Sequence, residues 1–310
     1  MNLCPGIKAY IDKANELYDD EADHAGVDVQ RRAYNDLCRA FARPYPPGVT
    51  ASDSSFSTDG VTIPLRIYRP AAQGRLPAIL FFHGGGFVLG DLDSHDSICA
   101  DICGNTGAAV IAVHYRLAPE HPFPAAFEDC YGALCHVAAQ AEAFVIDGTR
   151  LAVCGDSAGG NLSAAVALAA RDRSGPRLSG QVLIYPLCGV DFDLPAAHEN
   201  ADAPMLTRDA TIRYWEIYMG GDPARATCYA APLLAAHFRA LPPAFISTAQ
   251  YDPVRDDGRI YAECLRNAGV PAELRNASRL VHGWLRARHM SDDAAQEFDA
   301  ICGALRGMLG

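Results

Sequence analysis

Residues Gly155-Asp156-Ser157-Ala158-Gly159 fit the pattern G-x-S-x-G. An apolar run, 151–154, leads into the motif and an alanine-rich run leads out of it. A serine hydroxyl is a weak nucleophile until a neighbouring base takes its proton. A strand–turn–helix elbow is a place where it can be lifted clear of a sheet toward such a base. Glycines flank it because a Cβ on either side would clash in so tight a turn. Ser157 is therefore the candidate nucleophile, against the plainer reading of a Gly-Ser turn that caps a helix. A helix starting at Ala158 would also aim its positive end at a developing oxyanion.

His83-Gly84-Gly85-Gly86-Phe87 follows the apolar run 78–82. Consecutive glycines after a strand leave peptide N–H groups bare, and a tetrahedral acyl-transfer intermediate needs such donors for its O⁻. Gly84, Gly85 and Ala158 are the expected donors of that oxyanion hole. His83 is expected to shape the loop by hydrogen bonding rather than to transfer protons. The plainer alternative is a flexible glycine loop without a ligand. A phosphate loop needs a lysine, and the chain's two lysines, Lys8 and Lys13, lie far upstream.

On this chemistry an acid and then a histidine should follow the serine. After the apolar run 244–248 comes Gln250-Tyr251-Asp252-Pro253-Val254-Arg255-Asp256-Asp257-Gly258. Asp252 falls at the carboxyl edge of a strand, where ligand sites of open α/β sheets form. Asp256 and Asp257 belong to the first turn of the next helix, where a carboxylate is favoured by the helix dipole alone. Asp252 is the chosen acid; its plainer role is an Asx turn before Pro253. His282, in Leu280-Val281-His282-Gly283-Trp284, is the chosen base. Its rival His289 has Arg286, Arg288 and Ser291 as neighbours, which reads as a solvated segment.

The elements that must carry these residues are legible from periodicity. Strands are predicted at 61–68, 78–82, 108–114, 151–154, 182–185 and 244–248, with a short one near 272–274. Helices are predicted at 94–103, 124–139, 158–171 and 256–267. The alternation indicates βαβ units: an α/β fold with a mainly parallel twisted sheet and helices on both faces. Apolar residues at helical spacing from Ile7 to Tyr18 predict an amphipathic first helix. A second runs through Arg31, Leu37 and Phe41 and ends before Pro44, Pro46 and Pro47. The stretch 191–222 breaks the alternation, with a helix starting at Thr207 and the aromatics Tyr214, Trp215 and Tyr218. These three either line a pocket or form local core.

Composition narrows the function classes. At 310 residues, half of them apolar, the chain can bury a substantial core. A formal charge of −11 argues against a nucleic-acid or anionic membrane surface. No apolar run approaches the roughly 18 residues of a span. Lys8, Asp12, Lys13 and Glu16 interrupt any export signal. A cytoplasmic location is expected, so the eleven cysteines read as reduced, buried hydrophobes. Neither Cys99/Cys103 nor Cys130/Cys135 has a second pair at zinc-site spacing, and no metal or cofactor is expected.

Together these residues resemble the bacterial branch of the hormone-sensitive lipase family, and within it the short-chain acetyl esterases. The resemblance covers nearly the whole chain from about Ser54. It rests on the His83 to Phe87 loop with Leu89-Gly90-Asp91-Leu92-Asp93-Ser94-His95-Asp96. It continues through Tyr115-Arg116-Leu117-Ala118-Pro119-Glu120, Phe123-Pro124-Ala125-Ala126, the Gly155 to Gly160 elbow, the Asp252 block and His282-Gly283. The family's nucleophile, acid and base fall on Ser157, Asp252 and His282, and its oxyanion donors on Gly84, Gly85 and Ala158. Two departures stand out: Asp257 where the family usually has Glu, and Trp284 where Phe is common.

The resemblance further implies an α/β-hydrolase core at 51–190 and 223–310. A small helical cap would come from N-terminal helices within 1–50 and an insertion at 191–222. It also implies a homodimer through the sheet edge. The expected function is a carboxylesterase acting on small-molecule esters with acyl chains from acetate to octanoate. An amidase or deacetylase using the same triad is the alternative. A long-chain lipase is disfavoured because no apolar lid segment is evident. The gibberellin receptors, which resemble this family, show that the fold also serves for non-catalytic binding, but they lack a working base.

Overall fold

The computed structural model describes residues 1–18, 25–58 and 60–310. Residues 19–24, inside the expected N-terminal segment, lie outside the described residues. Eight strands form one sheet: β1 (Thr50–Thr58), β2 (Val61–Arg69), β3 (Leu76–Phe82), β4 (Ala109–Val113), β5 (Ile146–Asp156), β6 (Gly180–Ile184), β7 (Ala244–Tyr251) and β8 (Ala272–Val281). Their spatial order is β1-β2-β4-β3-β5-β6-β7-β8. The β1/β2 and β2/β4 pairs are antiparallel and the remaining pairs parallel.

The central strands are apolar on both faces because helices cover both. Along β3, Ile79 and Phe81 enter one core while Ala78, Leu80 and Phe82 enter the other, the period-2 alternation of a pleated strand. The first face is covered by α1 (Pro5–Leu17), α2 (Val27–Ala40), α3 (Asp96–Thr106) and the C-terminal α9 (Asp292–Leu309). The second is covered by α4 (Ala125–Ala139) and α5 (Ala158–Asp172), with α8 (Arg255–Asn267) over the β6–β7 side. Between β6 and β7 lie α6 (Pro195–Glu199) and α7 (Arg208–Tyr218). Thr207 caps α7, its side chain accepting from Ala210 N at 3.1 Å, so the expected start holds within a residue.

Three of these elements escaped the periodicity reading, the five-residue α6 among them because one turn carries too few residues to show a period. Strand β1 is polar and, apart from Phe56, largely exposed, because an edge strand needs no apolar face. Helix α9 follows a Ser291 cap and buries Phe298, Ile301, Cys302, Leu305 and Leu309 at helical spacing. The cysteines lie mostly in the core; burial pushes the Cys99 and Cys154 thiols well above their usual range. Lys8 and Lys13 stand exposed on α1, while Tyr10 on its inner side is buried.

The topology decides where a site can form. Strand β4 lies on one side of β3 and β5 on the other, so successive connections leave in opposite directions at β3. A crevice opens at the carboxyl ends of strands flanking such a switch point. Phe82 and Gly155 are paired in register there, which puts the glycine loop after β3 beside the elbow after β5.

Candidate active site

The elbow is tight enough to require its glycines. A Cβ on Gly155 would stand 2.3 Å from Gly159 O, and one on Gly159 would stand 1.8 Å from Phe82 O. Ser157 itself has φ 54° and ψ −117°, a region costing about 1–3 kcal/mol that packing must hold. Its N–H donates to Ile184 O at 2.8 Å, and Asn161 N donates to its carbonyl at 3.0 Å.

Side chains remote in sequence converge on this hydroxyl. His282, in the loop after β8, places Nε2 2.8 Å from Ser157 Oγ. Its Nδ1 lies 2.7 Å from Asp252 Oδ2. Asp252 is fully buried at the end of β7, and its Oδ1 accepts Val254 N at 2.9 Å. With the Nδ1 proton on the carboxylate side, Nε2 is left as the acceptor facing the hydroxyl. Tyr10 of α1 donates to Gly283 O at 2.9 Å and steadies the turn beyond the histidine. The Tyr185 ring packs 4.7 Å from the imidazole.

The rival acids have other partners. Asp256 accepts Ala196 N at 3.1 Å and faces Arg259 at 3.4 Å. Asp257 accepts Cys188 N at 2.7 Å and Gly189 N at 2.8 Å. Burial pushes its carboxyl up to about 7 against those two bonds, helped by the nearby charges of Asp252 and Asp256. The rival base His289 binds Asp101 at 2.8 Å. Its surroundings correct the expected solvated segment: Arg286 is 8 % and Arg288 3 % exposed. Arg288 is buried because Asp101 and Ser97 satisfy it, and Arg286 because Ser94 O and Tyr34 Oη accept from it.

The glycine loop needs one correction. Gly84, expected as an oxyanion donor, gives its N–H to Asp156 Oδ1 at 2.9 Å, so that amide is already committed. Gly85 and Gly86, with φ of 123° and 61°, line the cavity together with Ser157 and Ala158. Gly86 was not singled out from the sequence. Three glycines in a row carry no sign of which amide a carboxylate will take. His83 lies beneath the loop, its Nδ1 2.8 Å from Gly84 O and its ring stacked on Tyr115 at 4.3 Å. Tyr115 Oη donates to His83 O at 2.6 Å. Burial pushes the His83 imidazole down to about 3, so it is neutral at ordinary pH.

Above the serine is a cavity of about 260 Å³. Its walls include Tyr10, Tyr34, Leu89, Tyr185, Met205 and Tyr214. The aromatics of the 191–222 stretch therefore divide. Tyr214 reaches the cavity, Trp215 is buried, and Tyr218 stacks on Phe87 with centroids 3.7 Å apart. Among the described residues no group of three or more His, Cys, Asp or Glu side chains is gathered as metal ligands, and no helix is long and apolar enough to cross a membrane.

The family model described as alpha/beta hydrolase fold matches residues 79–286. An esterase of Mycobacterium tuberculosis, LipI, is 43% identical over 264 residues, covering 84% of this chain and 82% of its own. An ethyl acetate hydrolase of Pseudomonas putida is 33% identical, with both chains covered in full. The crystal structure of a thermostable esterase from Pseudomonas putida superposes with a TM-score of 0.93 at 29% identity, covering 100% of this chain and 98% of that one.

Proposed function

We propose, because the chain belongs to the α/β-hydrolase family in its hormone-sensitive-lipase-like branch, that it is a carboxylesterase cleaving short-chain acyl esters through Ser157, His282 and Asp252. The observation that carries this reading is the unbroken chain of contacts from Ser157 Oγ to His282 Nε2 at 2.8 Å and from His282 Nδ1 to Asp252 at 2.7 Å.

In this reading Ser157 Oγ attacks the ester carbonyl carbon as its proton passes to His282 Nε2. The carbonyl π pair moves onto oxygen, and the resulting O⁻ accepts from the amides of Gly85, Gly86 and Ala158. Asp252 stabilises the imidazolium without taking its proton. Collapse breaks the bond to the alcohol oxygen, which leaves with the Nε2 proton, and the acyl group stays on Ser157. Water then attacks the acyl-enzyme while His282 accepts its proton. The second collapse returns that proton to Ser157 and releases the acid.

The modest cavity supports short acyl chains. Segments 1–50 and 191–222 would act as a cap, since Tyr10 and Tyr34 enter the cavity from one and Met205 and Tyr214 from the other. A cytoplasmic location stays part of this reading, with the eleven cysteines packed mostly as buried thiols.

The test is hydrolysis of p-nitrophenyl esters from acetate to octanoate. Wild type should turn over the short members, and S157A should lose at least about 10⁴-fold in kcat and all labelling by a fluorophosphonate probe. No turnover on any of these esters would reject the proposal, and a matched amide series would separate esterase from amidase.

A further inference from the structure

We propose that Asp156 is a positioning residue: its buried carboxylate holds the amide of Gly84, and thereby sets the next two glycine amides where the oxyanion forms. This rests on the esterase reading above.

Three pieces of the site meet at this one carboxylate. Asp156 immediately precedes the nucleophile. Its Oδ1 accepts Gly84 N at 2.9 Å, and a Cβ on Gly84 would stand only 2.5 Å from its Oδ2. The contact is thus made at the first turn of the glycine loop, with Gly85 and Gly86 directly downstream. On its other side, His95 Nε2 lies 3.2 Å from Oδ1, and Tyr185 Oη donates to Oδ2 at 3.4 Å. Arg286 Nη2 lies 3.2 Å from the same His95 nitrogen. Arg286, four residues after His282, also donates to Ser94 O at 2.8 Å and to Tyr34 Oη at 3.0 Å. Asp156, His95 and Arg286 therefore cluster where the elbow and glycine loop meet the loop that carries the base, with the Nε2 proton of His95 facing Asp156 and Arg286 held by Ser94 O and Tyr34 Oη.

A buried ion costs several kcal/mol unless partners satisfy it, and well-packed apolar groups in its place are often at least as stable. Asp156 is 6 % and Arg286 8 % exposed, and no carboxylate lies within 4 Å of Arg286 among the described residues. Stability alone is a poor reason to keep two separated charges here. A fixed acceptor for one loop amide is a better one, because oxyanion donors act only when aimed in advance. The carboxyl is held down to about 2: burial raises it, but His95, Arg286 and the Gly84 amide outweigh that.

The test compares D156L, D156N and H95L with wild type, reading kcat and KM on p-nitrophenyl butyrate and Ki for an alkyl trifluoromethyl ketone. The ketone adds to Ser157 and forms the oxyanion that the loop amides must meet. D156L should lose about 100-fold in kcat with KM within about threefold, and its ketone Ki should rise in parallel. D156N keeps an acceptor oxygen for Gly84 N and should recover to within about tenfold of wild type. H95L should move kcat and Ki in the same direction as D156L, and it carries the test if D156L loses its circular dichroism signal. A kcat for D156L (or for H95L in its stead) within about threefold of wild type overturns the proposal, as does a fall in kcat with unchanged Ki. A wild type inactive on every ester and unlabelled by fluorophosphonate would instead sink the esterase reading.

Discussion

Asp252 is wholly screened from solvent and meets Nδ1 of His282 at 2.7 Å across a separation of thirty residues. An asparagine there presents an amide that favours the wrong imidazole tautomer. D252N should lower kcat by about 10⁴-fold with little change in KM. Steady-state kinetics on p-nitrophenyl butyrate check this. D257N should stay within about tenfold of wild type, because its partners are the backbone amides of Cys188 and Gly189 and not the imidazole.

The same Asp257 predicts a pH dependence of stability. Its folded value of about 7 exceeds the ordinary 3.8, so between those values the folded state binds more protons than the unfolded chain. Its stabilising contribution is complete below pH 3.8 and is lost as pH rises to about 7. D257N removes the titration but keeps an acceptor for Cys188 and Gly189. Urea denaturation from pH 5 to 8 should show the variant gaining on wild type by on the order of 2 kcal/mol. A pH-independent difference would contradict this.

The Tyr214 ring lies directly over Gly86, where an added Cβ would stand 2.6 Å from its Cγ. G86A should lower kcat about 10- to 100-fold, since φ of 61° and the ring both oppose a side chain in a loop of aimed amides. Y214A removes one wall of the cavity and should shift the preferred acyl chain toward longer esters. A chain-length profile reads both variants.

Arg288 and Asp101 form a buried pair at 2.6 Å, with side chains 1 % and 8 % exposed. Removing one partner strands the other charge. D101A should cost about 3–5 kcal/mol in urea denaturation. The pair fastens the segment beyond His282 to α3, so early inactivation on heating should accompany the loss.

Trp284 is fully buried, and its Nε1 has no hydrogen-bond partner among the described residues. W284F therefore forfeits ring volume but no hydrogen bond, and should cost less than about 2 kcal/mol. W284A should cost about 3–5 kcal/mol. Equal destabilisation by both would show that the indole N–H matters.

The meeting of Ser157, His282 and Asp252 was legible because the chemistry proposed for them dictates both their neighbours and their order. Gly155 and Gly159 flank the serine because backbone passes too close for a Cβ, and Asp252 ends a strand whose apolar run is plain. Asp156, His95 and Arg286 were not legible as a group, since their contacts span 61 and 191 positions and no local period records them. The error at Gly84 has the same origin: its amide is taken by a carboxylate 72 residues away. Arg288 looked solvated because the carboxylate that buries it lies 187 residues upstream. Strand β1 shows no apolar alternation because an edge strand exposes most of its residues.

Both ε-amino groups of this chain sit on the outer side of α1, the helix whose Tyr10 walls the cavity and steadies Gly283. Amine-reactive chemistry at lysine therefore strikes one helix and leaves the rest of the surface untouched. A support coupled through lysine would hold every molecule in one orientation, by the side on which α1 lies. A dye coupled the same way would report on movement over the serine.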